Sequence, residues 1–294
     1  MIPERILSLP CWQGEPRAEP LSGGLSNEIW KVTDAAGRHV VRLGADYPCH
    51  HVSRARELMT TRAAHQAGFA PAVRHAEPGV MVTEFITSQT WTRAEVAASP
   101  ERVARLLHDF HHRMPLFVSG EASLFWVFHV IRDYARTLTE GGSRFAVRNA
   151  AFLALGAALE AAQVPLPIVF AHNDLLPANF LDDGTRLWLI DYEYAGFSTA
   201  LFDLAGVASN AGMDAPQARA LLCTYFGAEP APALMRAFDA MQCASLLREA
   251  MWAMVSELHL AAPGVDYGAY ALENLSALRD ACAAFTDRHG VSLP

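Results

Sequence analysis

One stretch restricts this chain more than any other: Phe170-Ala171-His172-Asn173-Asp174-Leu175-Leu176-Pro177-Ala178-Asn179-Phe180-Leu181, followed by Ile190-Asp191-Tyr192-Glu193-Tyr194. Val169 and Phe170 are apolar and β-prone, as are Phe180 and Leu181. Asp182-Asp183-Gly184-Thr185 reads as a hairpin turn, and Leu187 to Ile190 as the return strand. Strands joined this way leave three polar side chains at their ends: Asp174, Asn179 and Asp191.

Asn and Asp cap turns routinely, so the motif has a purely structural reading. The chemical reading needs all three together. Phosphoryl transfer from Mg-ATP calls for a carboxylate that takes the hydroxyl proton, an amide oxygen for a metal, and a second carboxylate that ties metal to phosphates. The kinase catalytic loop H-R-D-L-x-x-x-N spaces its Asp and Asn as Asp174 and Asn179 are spaced, and its metal-binding Asp comes on the next hairpin strand, where Asp191 falls. The second Asp favours a kinase-type site over turn capping.

The chain is 294 residues long, enough for a large core and for two lobes. Its net charge is −8 and it has no basic block, which argues against nucleic acid and suits small cationic substrates. The five cysteines are scattered and form no C-x-x-C pair, which points to a reducing, cytoplasmic setting rather than disulfides or zinc. The amino terminus lacks a signal pattern, and the most apolar stretches are shorter than the roughly 20 residues that cross a bilayer, so no membrane insertion is expected. Of the 23 basic residues only Lys31 is a lysine, although kinases usually carry a phosphate-binding lysine.

In the first third, Leu21-Ser22-Gly23-Gly24-Leu25-Ser26-Asn27 leads into an alternating strand. Adjacent glycines allow a backbone to approach phosphates closely, although the spacing is neither G-x-G-x-x-G nor a P-loop and also fits an ordinary hairpin turn. The strand His39–Leu43 puts Arg42 where protein kinases have the strand lysine; its guanidinium offers a fork to phosphate. Ser53 should cap a helix running to about Gln66, with Gly68 beyond it. Glu57 on that helix is the expected partner of Arg42, or else a solvated charge among Arg54, Arg56 and Arg62. Strands are expected over Ala72–His75 and Val80–Phe85. A hinge then follows, where backbone groups near Glu84 and Ile86 would meet adenine.

Further on, Arg93 to Met114 has helical apolar spacing, and helices are expected over Trp126–Leu138, Arg144–Ala162, 215–226, about 232–260 and 267–287. His111-His112 read as surface or interlobe residues rather than metal ligands. Only eleven residues separate Asp191 from Asp203. That leaves no room for an activation segment, so a polypeptide substrate is not expected. The fold expected is α+β, protein-kinase-like and two-lobed: a small antiparallel-sheet lobe over 1–86 and a mainly helical lobe over 87–294.

Gly23-Gly24-Leu25-Ser26-Asn27, Val41-Arg42-Leu43, His172-Asn173-Asp174-Leu175, Ile190-Asp191-Tyr192-Glu193-Tyr194 and Phe202-Asp203-Leu204-Ala205 together resemble the choline/ethanolamine kinases, within the aminoglycoside-phosphotransferase-like superfamily. The likeness covers about residues 20 to 260. It implies that Asp174 is the catalytic base, that Asn179 and Asp191 bind Mg2+, and that Gly24, Ser26, Asn27 and Arg42 serve the ATP phosphates. It also implies that Asp203 braces the catalytic loop, while Tyr194 and Trp252 hold the acceptor with Asp174. A quaternary ammonium needs an aromatic cage. Trp252 matches the first tryptophan of the family's W-x-x-W pattern. Val255 replaces the second, and Asn210 stands where an acid is typical, so the cage is thinned.

The function expected is therefore ATP- and Mg-dependent phosphorylation of a small, cationic alcohol, with choline foremost. A thiamine kinase or another amino-alcohol or aminoglycoside-type kinase is the alternative, and a nucleotide-binding pseudokinase a more distant one. The sequence gives no oligomeric state.

Overall fold

In the computed structural model of the protein, residues 2–21, 28–260 and 264–294 are described. The chain divides into two compact units: Met1–Trp91 with Leu116–Gly120 and Ala178–Glu193, and Thr92–Pro115 with Glu121–Pro177 and Tyr194–Pro294. The catalytic-type loop is thus shared, with Asp174 in the second unit and Asn179 and Asp191 in the first.

The first unit is built on a five-stranded antiparallel sheet. Its strands lie side by side in the order Arg17–Pro20, Glu28–Asp34, Gly37–Leu43, Val80–Glu84, Val73–Glu77. Period-two alternation sends Trp30, Val32, Val41, Val80 and Val82 to one face, where Ile6 and Leu9 complete a buried cluster. The same alternation turns Arg42 away from Val41 and frees it for the site. The helix expected from Ser53 runs Arg54–Gln66. The Ser53 side chain accepts from the Arg56 N–H, and Gly68 turns the chain beyond its end at φ 84°. The hairpin Phe180–Asp182/Leu187–Leu189 belongs to this unit and pairs with Gln89–Thr90. Leu189 N–H also donates to Phe69 O at 2.9 Å, which ties the hairpin to the end of the helix segment.

The second unit is mainly helical. Its axis is Pro232–His259, 28 residues long and buried nearly all round, as a helix enclosed by others must be. It packs against Val127–Glu140, Asn149–Ala161, Ala200–Ala211 and Tyr267–His289. Fully buried Leu247, Met251, Met254 and Val255 lie on it, each contributing about 1.5–3 kcal/mol by burial.

Several expectations change here. The single helix over Arg93–Met114 is two, Arg93–Ala97 and Pro100–Arg113. The break falls at Ser99-Pro100, because proline disfavours helical geometry in the residue before it and suits the first turn of a new helix. The helix expected over Arg144–Ala162 begins as the 3-10 turn Ala146–Arg148 and becomes α-helical over Asn149–Ala161. Among the elements without a sequence expectation are the strand Gly196–Thr199 and the helix Ala200–Ala211. The strand pairs with Ile168–Ala171. Gly196 is required there, since a Cβ would sit 2.8 Å from Ser123 O. Among the described residues no helix is long and apolar enough to cross a membrane.

Candidate active site

In the first unit a cluster of five charges forms around Arg42. Arg42 pairs with Glu57, and its Nη1 lies 3.7 Å from Asp191 Oδ1 and 3.9 Å from Glu193 Oε2. Glu57 sits in the first turn after the Ser53 cap and is buried. Arg54, one turn earlier, had no role assigned from sequence beyond a charge beside Glu57. Its Nη1 donates to Glu57 Oε2 at 2.8 Å and to Glu193 Oε2 at 3.0 Å, and its Nε donates to Ala45 O at 2.8 Å. Arg54 therefore holds Glu57 and Glu193 in place while Arg42 faces them both.

Two guanidinium groups meet three carboxylates here, Glu57, Asp191 and Glu193, so the cluster is one positive charge short. The imbalance shows at Asp191. Burial and the Glu193 carboxylate raise its carboxyl to about 7, against the pull of Arg42. The side chain keeps 34% of its surface, yet Oδ1 itself is buried and accepts no hydrogen bond. Arg42 Nη1 is likewise buried and makes no hydrogen bond. Asp191 also has left-handed backbone geometry, φ 68°, which is uncommon outside glycine. Asn179 is its neighbour at the same end of the hairpin, where Ile190 N–H donates to Asn179 O at 3.2 Å.

A carboxylate with an orphaned buried oxygen beside an amide is an oxygen-donor set. It fits a hard divalent cation that keeps waters and takes its remaining ligands from phosphates. Among the described residues no three His, Cys, Asp or Glu side chains form a metal-binding group. A cavity of about 980 Å³ in this unit is lined by Arg42 and Arg54, by the acids Glu28, Asp46 and Glu77, and by Leu58 and Met81 among others.

In the second unit the loop after Ile168–Ala171 is fixed from beneath. Asp203 Oδ2 accepts the His172 N–H at 2.8 Å, and Oδ1 accepts the Asn173 N–H at 2.7 Å. His111 Nε2 lies 2.9 Å from Asp203 Oδ2, and its Nδ1 lies 2.7 Å from Tyr225 OH. Burial alone would raise the Asp203 carboxyl. The His111 hydrogen bond, with the charges and N–H nearby, outweighs it and lowers the carboxyl below its ordinary range. His111 is thus fully buried and structural, a correction to its reading as a surface or interlobe residue. Asn173 takes φ 63° and its amide donates to Tyr194 O at 3.1 Å. Asn210, read from sequence as a gap in the cage, donates to Leu175 O at 3.0 Å and so also braces this loop.

Around Asp174 stand residues that sequence reasoning missed. Arg248, 3% exposed, places its Nη1 4.0 Å from Asp174 Oδ1 and donates to Glu249 Oε2 at 2.9 Å. Its guanidinium carbon lies 4.4 Å from the centre of the Tyr194 ring and 5.9 Å from that of Phe125. Burial works against its charge, but the surrounding tyrosines, Glu249 and Asp174 hold the guanidinium firmly protonated. Trp252 Nε1 donates to Tyr194 OH at 2.9 Å, and Tyr270 OH donates to Glu249 Oε1 at 2.8 Å. Trp252 also meets Tyr267 and Tyr270 edge-on. The i, i+4 spacing of Arg248 and Trp252 on one helix was the available signal for Arg248. Tyr270, on the next helix, had none.

The residues singled out by sequence divide as follows. Asn179, Asp191, Arg42, Glu57, Glu84 and Ile86 belong to the first unit, and Asp174, Tyr194 and Trp252 to the second. Gly24, Ser26 and Asn27 lie outside the described residues. Glu84 N–H donates to Ala72 O at 2.9 Å and its side chain pairs with Arg74, while Ile86 O accepts from Ser88 Oγ at 3.2 Å. Val255 is core, fully buried. Lys31 pairs with Glu19 at 2.6 Å on the exposed side of the sheet, far from the role a strand lysine has in kinases.

An antiparallel-sheet lobe with a paired strand cation, a mainly helical lobe with a braced H-N-D loop and no activation segment define a class: a small-molecule kinase with the protein-kinase-like two-lobed α+β fold. The choline/ethanolamine kinase family model matches residues 18–223, and the chain belongs to that family. It is 27% identical over 271 residues to Protein LicA of Haemophilus influenzae, covering 87% of this chain and 77% of that protein. It is 29% identical over 204 residues to a probable ethanolamine kinase of Arabidopsis thaliana, covering 63% of this chain and 54% of that one. Among solved structures, a choline/ethanolamine kinase family protein from Mesorhizobium loti superposes with a TM-score of 0.74 at 29% identity, covering 94% of this chain and 92% of that one.

Proposed function

We propose that the protein transfers the γ-phosphoryl group of Mg-ATP to the hydroxyl of a small cationic amino alcohol of the choline and ethanolamine type. The hydroxyl oxygen forms the new P–O bond, the bond from the γ-phosphorus to the bridging oxygen breaks, and ADP leaves. Asp174 orients the hydroxyl and accepts its proton. Asn179 and Asp191 would hold Mg2+, which when bound offsets charge on the phosphates. Arg42, held by Glu57 and backed by Arg54, binds phosphate oxygens. Backbone groups of Glu84 and Ile86 meet adenine, Gly24, Ser26 and Asn27 cradle phosphates, and Tyr194 and Trp252 border the acceptor.

The observation that carries this reading is the pair of buried groups without hydrogen bonds, Asp191 Oδ1 and Arg42 Nη1, 3.7 Å apart. They face each other as an ion pair without a hydrogen bond, so the oxygen can take a cation and the N–H an anion, and a metal–nucleotide complex would supply both. The acceptor class is supported by the family and by Asp174 and Glu249, two carboxylates against the single Arg248 cation. The test is ATP-coupled ADP release with a panel of alcohols. Choline or ethanolamine should give the highest specificity constant, and chelation of divalent cations should abolish turnover. A higher constant for thiamine or an aminoglycoside would refute the acceptor class, and full turnover in excess chelator would refute the metal role.

A further inference from the structure

Arg248 has no place in the phosphoryl transfer just described, yet it is a deeply buried cation of the second unit, 3% exposed. It fills a specific position. Its guanidinium carbon lies 4.4 Å from the centre of the Tyr194 ring, the distance at which a cation sits on an aromatic face. Tyr194 is held there from its other end by the Trp252 Nε1 hydrogen bond. Arg248 Nε and Nη2 are buried and donate to no partner, so the flat ion rests against ring faces rather than in a network of acceptors. Its one charge-assisted bond, Nη1 to Glu249, is on the side that also approaches Asp174. The protein's own cation therefore covers one face of the Tyr194 ring, a surface of the kind that binds a quaternary ammonium.

This changes what the site offers. A trimethylammonium group has no N–H and binds through ring faces, whereas a primary ammonium has three donors and binds through oxygens. With that face covered, the acceptors beside Arg248 Nη1 are the carboxylate oxygens of Glu249 and Asp174. Glu249 Oε1 and Oε2 each accept one bond, from Tyr270 and Arg248, and each keeps a second lone pair. Counting Asp174 and Glu249 against Arg248 leaves one negative charge, enough for one ammonium.

We propose that Arg248 is a specificity-determining residue: by occupying the Tyr194 face it makes the site favour a hydrogen-bonding primary ammonium over a methylated one. The assignment rests on the amino-alcohol reading above and narrows it.

The test is the methylation series of one acceptor, namely ethanolamine, its N-methyl and N,N-dimethyl derivatives, and choline. Each is assayed for ATP-dependent phosphorylation with kcat and KM separated. The wild type should show kcat/KM falling with each methyl group, chiefly through KM. Arg248→Met opens the ring face, and its choline-to-ethanolamine ratio of kcat/KM should rise about tenfold or more. Arg248→Lys keeps the charge without the planar stack and should shift the ratio less. A merely structural arginine would lower all four constants together, so an unmoved ratio in a folded Arg248→Met protein overturns the assignment. If that variant does not fold, the wild-type series decides alone, and a flat or rising profile overturns it. Inactivity of the wild type with all four acceptors would overturn the amino-alcohol reading itself, an outcome distinct from an active enzyme whose ratio does not move.

Discussion

The charged clusters of the two units solve different problems with the same residue types. Around Arg42 the charges are mutually supporting: Arg42 meets three carboxylates and Arg54 two of the same three, and the surplus is negative. Around Arg248 a single guanidinium lies among rings, with one carboxylate bonded and another 4.0 Å away. The first arrangement suits ligands whose chemistry is invariant, a triphosphate and its cation. The second suits a variable ligand, because ring faces and one shared carboxylate can be re-dealt by a single substitution. On this view the first cluster fixes the reaction and the second fixes the acceptor.

The comparison breaks most visibly at Asp174. Asp174→Asn keeps shape and removes the proposed proton acceptor, so kcat should fall by about 10²–10⁴ with the melting temperature little changed. Turnover within a few-fold of wild type would mean that the second unit supplies no general base, and the division of labour would fail. The next largest effect is expected at Glu57, and on stability as well as activity. Glu57→Ala leaves Arg42 and Arg54 without their shared carboxylate in a nearly closed site. Removing one partner of a buried ion pair costs about 3–5 kcal/mol. A loss below about 1 kcal/mol in urea unfolding would show that the two arginines re-pair with Glu193 and Asp191 at no penalty.

How much of this was legible in the sequence differs between the clusters for a physical reason. Asp174, Asn179 and Asp191 are spaced by local geometry, a loop and a hairpin, and local geometry leaves a fixed interval in the chain. Arg42 and Glu57 lie on consecutive elements, so their pairing could also be foreseen, and the structure shows it. Arg54 could not be told from a surface charge, because its burial depends on Glu193, 139 positions away. Tyr270 reaches Glu249 only through the packing of two long helices, and no interval encodes that. The helix Ala200–Ala211 escaped for another reason: it is apolar on all sides, so no 3.6-residue periodicity marks it. Its Asp203 was nevertheless placed correctly as a brace, through its motif rather than its pattern.

That brace allows the comparison to be sharpened by pH. The native Asp203 carboxyl is held below its ordinary value of about 3.9, so the folded state binds fewer protons there than the unfolded state does. The stability it contributes is complete above that ordinary value and is lost as pH falls through the lower, native one. Urea midpoints measured from pH 6 down to pH 3 should therefore fall less steeply in Asp203→Asn than in wild type. Parallel curves would mean that the His111 and backbone bonds to Asp203 do not distinguish its charged form. The Asp191 carboxyl shifts the opposite way, raised by burial and Glu193. The two units thus differ in sign as well as in composition, with one acid strained by its neighbours and the other stabilised by them.

The smallest expected effect tests whether the ring cluster is a scaffold or a contact surface. Trp252→Phe removes only the Nε1–H that donates to Tyr194 OH and some ring area. A neutral buried hydrogen bond contributes about 0.5–1.5 kcal/mol, so the melting temperature should fall by only a few degrees. Tyr194 would then be free to tilt, and the Arg248 stack depends on its orientation. If the ring face is what excludes methylated ammonium groups, Trp252→Phe should relax that selectivity slightly, in the same direction as Arg248→Met and by less. A stability loss with selectivity unmoved would assign Trp252 to packing alone and leave Arg248 to set acceptor preference without help from its neighbours.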